Sequence, residues 1–398
     1  MADYSREEAA ERAGLTVDEL SRMVDLGVLR PADGDRFTLG DVRRAGLVQS
    51  VVQSGLPLEG IAQVVASGMF TLDFMDSPAY ERFSALSDVT FAQLSQRTGI
   101  PLDLLMQVRA STGGAFPSPD DRLREGELEI IPLLEALVSE GFGVPAIERL
   151  ARVQGESLRR IAETEADFWR SEVVMPALAA GLVGDELTQT KLTERITPLI
   201  EPAMMANYRA HQAREWTRNV IEGLETLMAQ AGIYGRVERP PAMCFLDITG
   251  YTRLTGERGD QAAAELAEQL GRMVQRTSVQ HGGRPVKWLG DGVMFYFREP
   301  GPGVIAALDM AEGVVQAGLP PAHVGLHAGP VVFQEGDYYG QTVNIASRIA
   351  EYARPGEVLV SQAVVEAAKD VGAAFTEIGP VELRGVGGTV QLHAARRG

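Results

Sequence analysis

Residues 286–295 constrain the fold more than any other segment of this 398-residue chain. Two apolar runs flank a Gly-Asp-Gly sequence centred on Asp291, and such a sequence between apolar runs is typical of a tight hairpin turn. The segment predicts two antiparallel strands with the Asp291 carboxylate at the turn. Residues 242–248 form another apolar run, which predicts a buried strand that delivers the Asp247 carboxylate to a glycine turn.

Further polar positions follow in the C-terminal part of the chain. Lys287 lies in the first run of the hairpin, and Asp337 precedes a helical pattern. Within that pattern Asn344 and Arg348 are four residues apart, so a helix places both side chains on one face. Taken alone, each position has an ordinary explanation, such as a turn aspartate, a surface charge or a solvated helix face. Their joint occurrence points to a functional site.

In order and spacing, these segments resemble class III adenylate cyclases, and the resemblance extends from residue 241 to the C-terminus. After Pro240-Pro241 the pattern predicts a strand, a helix, a hairpin, a helix and further strands. This order suits an α+β domain with helices on a mainly antiparallel sheet. The resemblance implies a ferredoxin-like core for the domain. It also implies a phosphorus–oxygen lyase that converts ATP to 3′,5′-cyclic AMP and pyrophosphate.

The reaction joins the ribose 3′-hydroxyl to the α-phosphorus, so the protein must align the triphosphate and stabilise charge. The resemblance implies Asp247, Ile248 and Asp291 as ligands of two Mg²⁺ or Mn²⁺ ions in each active site. Carboxylates suit this role because magnesium typically takes one or two of them together with substrate phosphate. His323 and His327 lie four apart in a strand-like segment, a separation of about 13 Å, so we interpret them as structural residues and not metal ligands.

The resemblance assigns the remaining positions to the nucleotide. Lys287 would donate to adenine N1 and Asp337 would accept from the exocyclic amine, a polarity that guanine reverses. Asn344 would orient the ribose, and Arg348 would stabilise charge on the α-phosphate in the transition state. Arg384 stands where many relatives have a lysine for the triphosphate, a departure that retains the positive charge.

The N-terminal part contains an internal repeat, because residues 11–20 are echoed by residues 96–105. The first unit resembles the winged helix-turn-helix of MerR-type regulators, and the second resembles the regulatory domain of some actinobacterial cyclases. We expect an all-α regulatory region, and its relatives suggest pH, a lipid or another small-molecule effector as its signal. The expected domains are a helix-turn-helix-like unit at 1–80, a second helical unit at 81–200, a transmission helix and linker at 201–238, and the catalytic domain at 239–398.

The charge of the chain bears on its partners. A net charge of −17 argues against a general nucleic-acid or anionic-membrane surface. Residues 1–110 hold no lysine, and Asp18 and Glu19 lie in the would-be recognition helix, so DNA binding is disfavoured. Helical packing between protomers or against the catalytic domain is the favoured role of this unit.

The chain contains no run of about 18 apolar residues, and its first residues lack signal-peptide character. We expect a cytoplasmic protein without a membrane span. Homodimerisation follows from the resemblance, since the family builds its site across two catalytic domains. Two alternatives stay open. The nearer is a guanylate cyclase, which Lys287 and Asp337 disfavour, and the other is a ligand-sensing or DNA-binding regulator that uses the cyclase domain for dimerisation.

Overall fold

The structure, a computed structural model, describes residues 4–32, 35–76, 85–113, 115–188, 190–233, 240–250, 260–289, 292–368 and 371–398. It divides into two compact units, Met1–Leu224 and Glu225–Gly398. The first is mainly helical and the second combines helices with a sheet, so the predicted helical region followed by an α+β domain is confirmed. The finer boundaries expected at residues 80, 200 and 238 stay predictions. None of the helices in these ranges is both long and apolar enough to cross a membrane.

Capping boxes begin the first helices of the chain. The side chains of Ser5, Thr16 and Thr38 each accept a hydrogen bond from the backbone N–H three residues later. The acidic side chain at that later position in turn accepts a hydrogen bond from the backbone N–H of the capping residue. These pairs fix where the helices start. The helices up to residue 230 are α1 (Arg6–Ala13), α2 (Val17–Asp25), α3 (Leu39–Gln53), α4 (Leu58–Ala66), α5 (Phe91–Thr98), α6 (Leu102–Ser111), α7 (Ile131–Ser139), α8 (Val144–Trp169), α9 (Met175–Ala179), α10 (Gly184–Thr188) and α11 (Thr190–Gln230).

The internal repeat of the sequence has a structural counterpart. Both α1 and α5 end at a glycine in the left-handed conformation, and each is followed by a second short helix. A short antiparallel pair, β1 (Leu86–Thr90) and β2 (Arg122–Arg124), belongs to the second repeat. Arg12 pairs with Glu125 and Arg122 pairs with Glu11, each at 2.8 Å. The two repeats contact each other through these reciprocal ion pairs.

The second unit alternates strands and helices. Its strands are β3 (Ala242–Ile248), β4 (Gly283–Leu289), β5 (Gly292–Phe297), β6 (Ala322–Ala328), β7 (Val332–Gln334), β8 (Asp337–Tyr339), β9 (Val358–Ser361), β10 (Ala373–Glu382) and β11 (Thr389–Arg397), and its helices are α12 (Asp260–Gln280), α13 (Pro300–Gln316), α14 (Gln341–Tyr352) and α15 (Gln362–Ala367). One sheet has the order β10-β11-β9-β6-β3-β5-β4, and β7 pairs with β8 in a separate hairpin. Neighbours in the large sheet are antiparallel except β6 with β9. The stretch from β3 to β6, with the order β6-β3-β5-β4, has the ferredoxin-like topology that the family resemblance implies.

The two faces of the sheet are covered differently. Alternate residues of β3, among them Cys244, are buried against α12 and α13 in the larger core of this unit. Met243 and Phe245 belong to the other face, where they pack with Tyr338 of β8 and with α14. Asp247 continues this second row, since side chains along a strand alternate between the two faces.

A glycine of β6 lets α14 lie close against the sheet. A Cβ atom at Gly325 would collide with the backbone nitrogen of Ala350 and lie 2.7 Å from the carbonyl oxygen of Ala346. Glycine permits this approach because it has no side chain. The buried positions of α14 include Ile345, Ala346, Ile349 and Ala350. This packing fixes both the position and the rotation of the helix.

Candidate active site

Asp247 stands at the end of β3, inside the ferredoxin-like core. Its side chain is 42% exposed, and Oδ2 lies 3.4 Å from Nε2 of His323 on β6. Oδ1 accepts a hydrogen bond of 3.1 Å from the backbone N–H of Ile248. The carboxylate is therefore both accessible and oriented. Because the Ile248 side chain is apolar and buried, a metal ligand at that position has to be the backbone carbonyl.

The second predicted carboxylate, Asp291, lies outside the described residues. The pairing of β3 with β5 places Asp247 opposite Gly292, the residue that follows Asp291 in the sequence. Within the described part of the chain, no group of three or more His, Cys, Asp or Glu side chains is arranged to hold a metal ion. The metal set of Asp247, Ile248 and Asp291 stays a prediction.

Lys287 reaches the candidate site from the edge strand β4. The register of β4 on β5 shifts between Pro285, which faces Phe295, and Lys287, which faces Met294, so Val286 is an inserted residue. Such a bulge is tolerated at a sheet edge, where proline is also accepted. An inserted residue changes which face the next side chains occupy, so the bulge sets the direction of Lys287.

Asp337 lies on β8, in the short hairpin with β7. Glu335 and Gly336 form the two-residue turn with φ values of 56° and 80°, the left-handed backbone that such a turn requires. Asp337 accepts a 2.8 Å hydrogen bond from the backbone N–H of Tyr338 through Oδ1, while Oδ2 pairs with Nζ of Lys287. Lys287 is 40% exposed and Asp337 is 21% exposed. The structure thus brings the two predicted base-reading residues into contact at a partly buried position.

Asn344 and Arg348 lie on the same face of α14, away from the buried positions of that helix. Buried residues recur on α14 at spacings of three and four, which leaves this pair toward solvent. Nη1 of Arg348 donates to Oε2 of Glu351 at 2.6 Å. This hydrogen bond to a carboxylate raises the pKa of Arg348 above its usual value. The shared helix face that the four-residue spacing predicts is present in the structure.

Arg384 is exposed in the turn between β10 and β11. The preceding residue, Leu383, is buried in a cluster with Ile345 and Ile349 of α14. This packing ties the Arg384 turn to the helix that carries the predicted catalytic pair.

Two histidines of β6 occupy different environments. His327 is partly buried, its Nδ1 lies 2.7 Å from Oγ of Ser361, and burial lowers its pKa to about 4. His323 faces the Asp247 carboxylate across the β3–β6 pair, and its Nδ1 lies 3.3 Å from Oγ1 of Thr249. Sequence reasoning missed the contact of His323 with Asp247, because it depends on which strands are neighbours.

Three family models match the chain. The adenylate and guanylate cyclase catalytic domain matches residues 236–394, a range that contains every candidate site residue. The adenylate cyclase regulatory domain matches residues 40–215. A MerR helix-turn-helix regulatory protein model matches residues 4–68. The catalytic and regulatory parts recognised from the motifs both have a matching family.

Relatives match over most of the chain. The pH-sensitive adenylate cyclase MT1302 of Mycobacterium tuberculosis is 29% identical over 320 residues, which cover 78% of this chain and 78% of the relative. An adenylate cyclase of Streptomyces coelicolor is 27% identical over 276 residues, or 69% of this chain and 70% of the relative. The fold and the matched catalytic domain define a nucleotide cyclase, an enzyme of cyclic-nucleotide synthesis. The resemblance to class III adenylate cyclases that the motifs indicate is thereby confirmed.

Proposed function

We propose that the protein cyclises ATP to 3′,5′-cyclic AMP and pyrophosphate at a site shared by the two protomers of a homodimer. The contact between Lys287 and Asp337 carries this proposal, because it places a cation beside a carboxylate. Adenine offers an acceptor at N1 beside a donor amine, whereas guanine offers a donor at N1 beside an acceptor carbonyl. The pair complements adenine and opposes guanine, and a wrongly paired edge costs on the order of 10⁴-fold to 10⁵-fold in selectivity.

The ion pair leaves capacity for a base. The ammonium group of Lys287 has three N–H donors, and each oxygen of the Asp337 carboxylate has two lone pairs. One carboxylate oxygen contacts the lysine and the other accepts from the Tyr338 backbone. The edge of adenine can therefore bind both side chains while they remain in contact.

The donors at the end of β3 fit divalent metal ions. Asp247 offers an exposed carboxylate, and Ile248 offers a backbone carbonyl oxygen. Asp291 adds a second carboxylate in the sequence next to Gly292, which lies opposite Asp247. Oxygen donors of this kind suit Mg²⁺ or Mn²⁺, and we propose that these three residues hold two such ions in each site. When bound, the ions would stabilise phosphate charge and lower the pKa of the ribose hydroxyl.

The exposed face of α14 provides the remaining groups. We propose that Asn344 orients the ribose and that Arg348 binds oxygens of the α-phosphate. Both oxygens of Glu351 bind Nη1 of Arg348, and a guanidinium has five N–H donors in a planar fork, so phosphate can be bound through the others. Arg384, held near the same helix by its neighbour Leu383, supplies a positive charge for the triphosphate.

Large apolar side chains near the base-reading pair support a shared site. They are exposed, at 47% for Leu289, 52% for Phe333 and 50% for Tyr339. Leu289 lies two residues after Lys287 on β4, and the others lie on the β7–β8 hairpin that carries the aspartate. Exposed apolar side chains of this size are typical of a protein interface. We propose that a second protomer covers them, so that twofold symmetry creates two equivalent sites.

We further propose that the N-terminal helical region regulates the cyclase and does not bind DNA. Arg22, the arginine of α2, pairs with Glu59, and Arg6 pairs with Asp35. Both cations thus already have acidic partners. A cavity of ≈ 460 Å³ in this region has a wholly apolar lining, formed by α3, α4 and the segment that follows. Its size and lining suit an apolar small molecule or lipid. The cytoplasmic location stays a prediction.

Turnover of the purified full-length protein with ATP and with GTP, each with Mg²⁺ or Mn²⁺, tests the proposal. We expect cyclic AMP from ATP. The kcat/KM for GTP should be at least about a hundredfold lower than that for ATP. Asp247→Ala should abolish both. Comparable turnover of GTP would favour a guanylate cyclase. Absence of product with both nucleotides and both metals, in folded dimeric protein, would contradict the proposal.

A further inference from the structure

Arg284 of β4 lies among aromatic rings on the sheet face that carries the base-reading pair. Its Cζ atom lies 5.5 Å from the ring centre of Tyr296, 5.3 Å from that of Phe333 and 5.2 Å from that of Tyr338. These distances are within the range of cation–π attraction. Arg284 also donates a hydrogen bond to the Tyr338 hydroxyl. We call these four residues the aromatic cage.

The rings of the cage pack on one another. Tyr296 and Tyr338 stack with ring centres 4.6 Å apart and an angle of 8° between their planes. The ring centres of Phe333 and Tyr338 are 5.1 Å apart, and Tyr338 is buried. Tyr296 stands directly opposite Arg284 in the β4–β5 pair. The cage therefore connects β8 to both β4 and β5 through close ring contacts.

The bulge at Val286 lets β4 contact β8 at two places. In a regular strand, Arg284 and Lys287 would point to opposite faces because they are three residues apart. The inserted residue brings them back to one face. Arg284 then contacts Tyr338 while Lys287 contacts Asp337. Two adjacent residues of β8 are thus bound by two residues of one edge strand.

Tyr338 is coupled to the carboxylate of Asp337, the residue that precedes it on β8. Its backbone N–H donates to Oδ1 of Asp337 at 2.8 Å. The β7–β8 hairpin has three residues in each strand and is not part of the large sheet. An isolated hairpin of this length is only marginally stable. Its position therefore depends on side-chain contacts such as those of the cage.

We infer that Arg284, acting through Tyr338, is a positioning residue for base selection. It holds the Asp337 carboxylate at the distance from Lys287 that matches the edge of adenine. The inference rests on the proposed function, because it assumes that Lys287 and Asp337 read the base. It adds a residue of β4 whose effect on nucleotide choice is exerted through the hairpin.

Arg284→Met tests the inference, because methionine keeps an apolar side chain and removes the charge and the hydrogen-bond donors. In full-length protein we expect the KM for ATP to rise about tenfold and the ratio of kcat/KM for ATP over GTP to fall about tenfold, with kcat within about threefold. Arg284→Lys retains the charge and should recover part of the ratio. Tyr338→Phe keeps the ring stack and removes only the hydroxyl, so it should shift the ratio in the same direction and serves if Arg284→Met does not fold.

Two further variants separate positioning from general stability. Arg272→Met is the matched control, because Arg272 is an exposed residue of α12 paired with Glu268, and it should leave the nucleotide ratio unchanged. In an Asp337→Asn background there is no carboxylate to position. In that background Arg284→Met should therefore not lower the ATP-over-GTP ratio of kcat/KM any further. A purely structural effect of Arg284→Met would instead lower this ratio in both backgrounds.

The outcomes distinguish the inference from the function on which it rests. If Lys287→Met and Asp337→Asn lower the ATP-over-GTP ratio while Arg284→Met and Tyr338→Phe leave it unchanged, the inference is overturned and the proposed function stands. Equal losses of ATP and GTP turnover in the cage variants also overturn it. If Lys287→Met and Asp337→Asn leave the ratio unchanged, the proposed reading of the base fails, and the inference fails with it.

Discussion

Lys287 and Asp337, separated by 50 residues in the sequence, form an ion pair between an edge strand and a short hairpin. The edge strand belongs to the large sheet, whereas the hairpin is a separate pair of strands. The spacing of the two charges therefore depends on how the hairpin sits on β4. Adenine selection, in the proposed function, is set by this spacing and by the polarity of the pair.

Reversing the charge at residue 287 tests the polarity. Lys287→Glu offers an acceptor to adenine N1, so we expect kcat/KM for ATP to fall at least about a hundredfold. The thermal midpoint should change by only a few degrees, because a partly exposed ion pair contributes about 1 kcal/mol or less. Steady-state kinetics and thermal melts on the same preparation provide the comparison.

The matched variant exchanges the two charges. Lys287→Asp combined with Asp337→Lys keeps an ion pair between β4 and β8 but inverts the polarity offered to the base. It should not recover ATP turnover if the pair reads adenine. Full recovery would show that the pair has a structural role, and unchanged nucleotide specificity in Lys287→Glu would remove the lysine from the base pocket.

Gly325→Ala should displace α14. The added Cβ collides with the helix backbone at Ala350, and the helix carries Asn344 and Arg348. We expect a loss of about 1–3 kcal/mol in the free energy of unfolding, together with at least about a tenfold fall in kcat, since small displacements of positioned groups are costly. Denaturant titration and initial rates measure the two effects. Gly223→Ala is the control, because a Cβ at Gly223 meets no atom within 4 Å, and wild-type rates are expected for it.

His327 should make stability depend on pH. Burial lowers its pKa to about 4, below the value of about 6.5 for an unfolded chain. The neutral ring therefore favours the folded state, with a contribution fully present above about pH 6.5 that is lost as the pH falls toward about 4. The upper limit of this loss is about 3 kcal/mol, reduced by the partial exposure of the ring.

The measurement compares wild type with His327→Gln by chemical denaturation at several pH values. Between about pH 6.5 and 4 the unfolding free energy of the wild type should fall more steeply than that of the variant. His211→Gln, at an exposed position of α11, should follow the wild type. Parallel profiles for wild type and His327→Gln would show that this histidine does not carry the dependence.

Removal of residues 1–235 tests regulation by the N-terminal region. If this region biases the placement of the two catalytic domains, its deletion should change specific activity several-fold, in either direction. A coupling free energy of about 1–3 kcal/mol is sufficient for such a change. Activity of both proteins should be followed over a range of pH and with added lipid. Equal activity under all of these conditions would argue against regulation by this region.

The sequence predicts best the features that depend on a single element. The alternation of β3 explains why Asp247 follows Met243 and Phe245 on one face, and the helical period explains the shared face of Asn344 and Arg348. The order of strands and helices also predicted an α+β domain, and the resemblance to class III adenylate cyclases implied its ferredoxin-like core. Each of these follows from a local period or from a known order of elements.

Apart from the antiparallel pairing of β4 with β5, features that depend on how strands pair were not predicted. The Glu335-Gly336 turn lacks the Asn-Gly or Asp-Gly signal of a tight hairpin, and β8 is only three residues long, so the strand that carries Asp337 was missed. The inserted residue Val286 has no sequence signature, since a bulge is defined by the register of the partner strand. The cage around Arg284 depends in turn on that register.

Mixing two inactive variants tests whether ATP is cyclised at sites shared between protomers. We propose that one protomer supplies the metal carboxylates, Asp247 among them, and the other supplies Lys287, Asp337, Asn344 and Arg348. Asp247→Ala and Asn344→Ala should then each inactivate both sites of their own homodimer. In a mixed dimer, one site receives both lesions and the other receives neither.

Cyclic AMP production after subunit exchange is the decisive measurement. Random exchange makes half of the dimers mixed, each with one intact site, so activity should recover to about a quarter of the wild-type value if the sites act independently. Exchange itself is verified with differently tagged protomers, and each variant alone provides the baseline. Recovery to this level supports the shared site. Activity that stays at the baseline, when mixed dimers are shown to have formed, would contradict it and place these residues in a site within one chain.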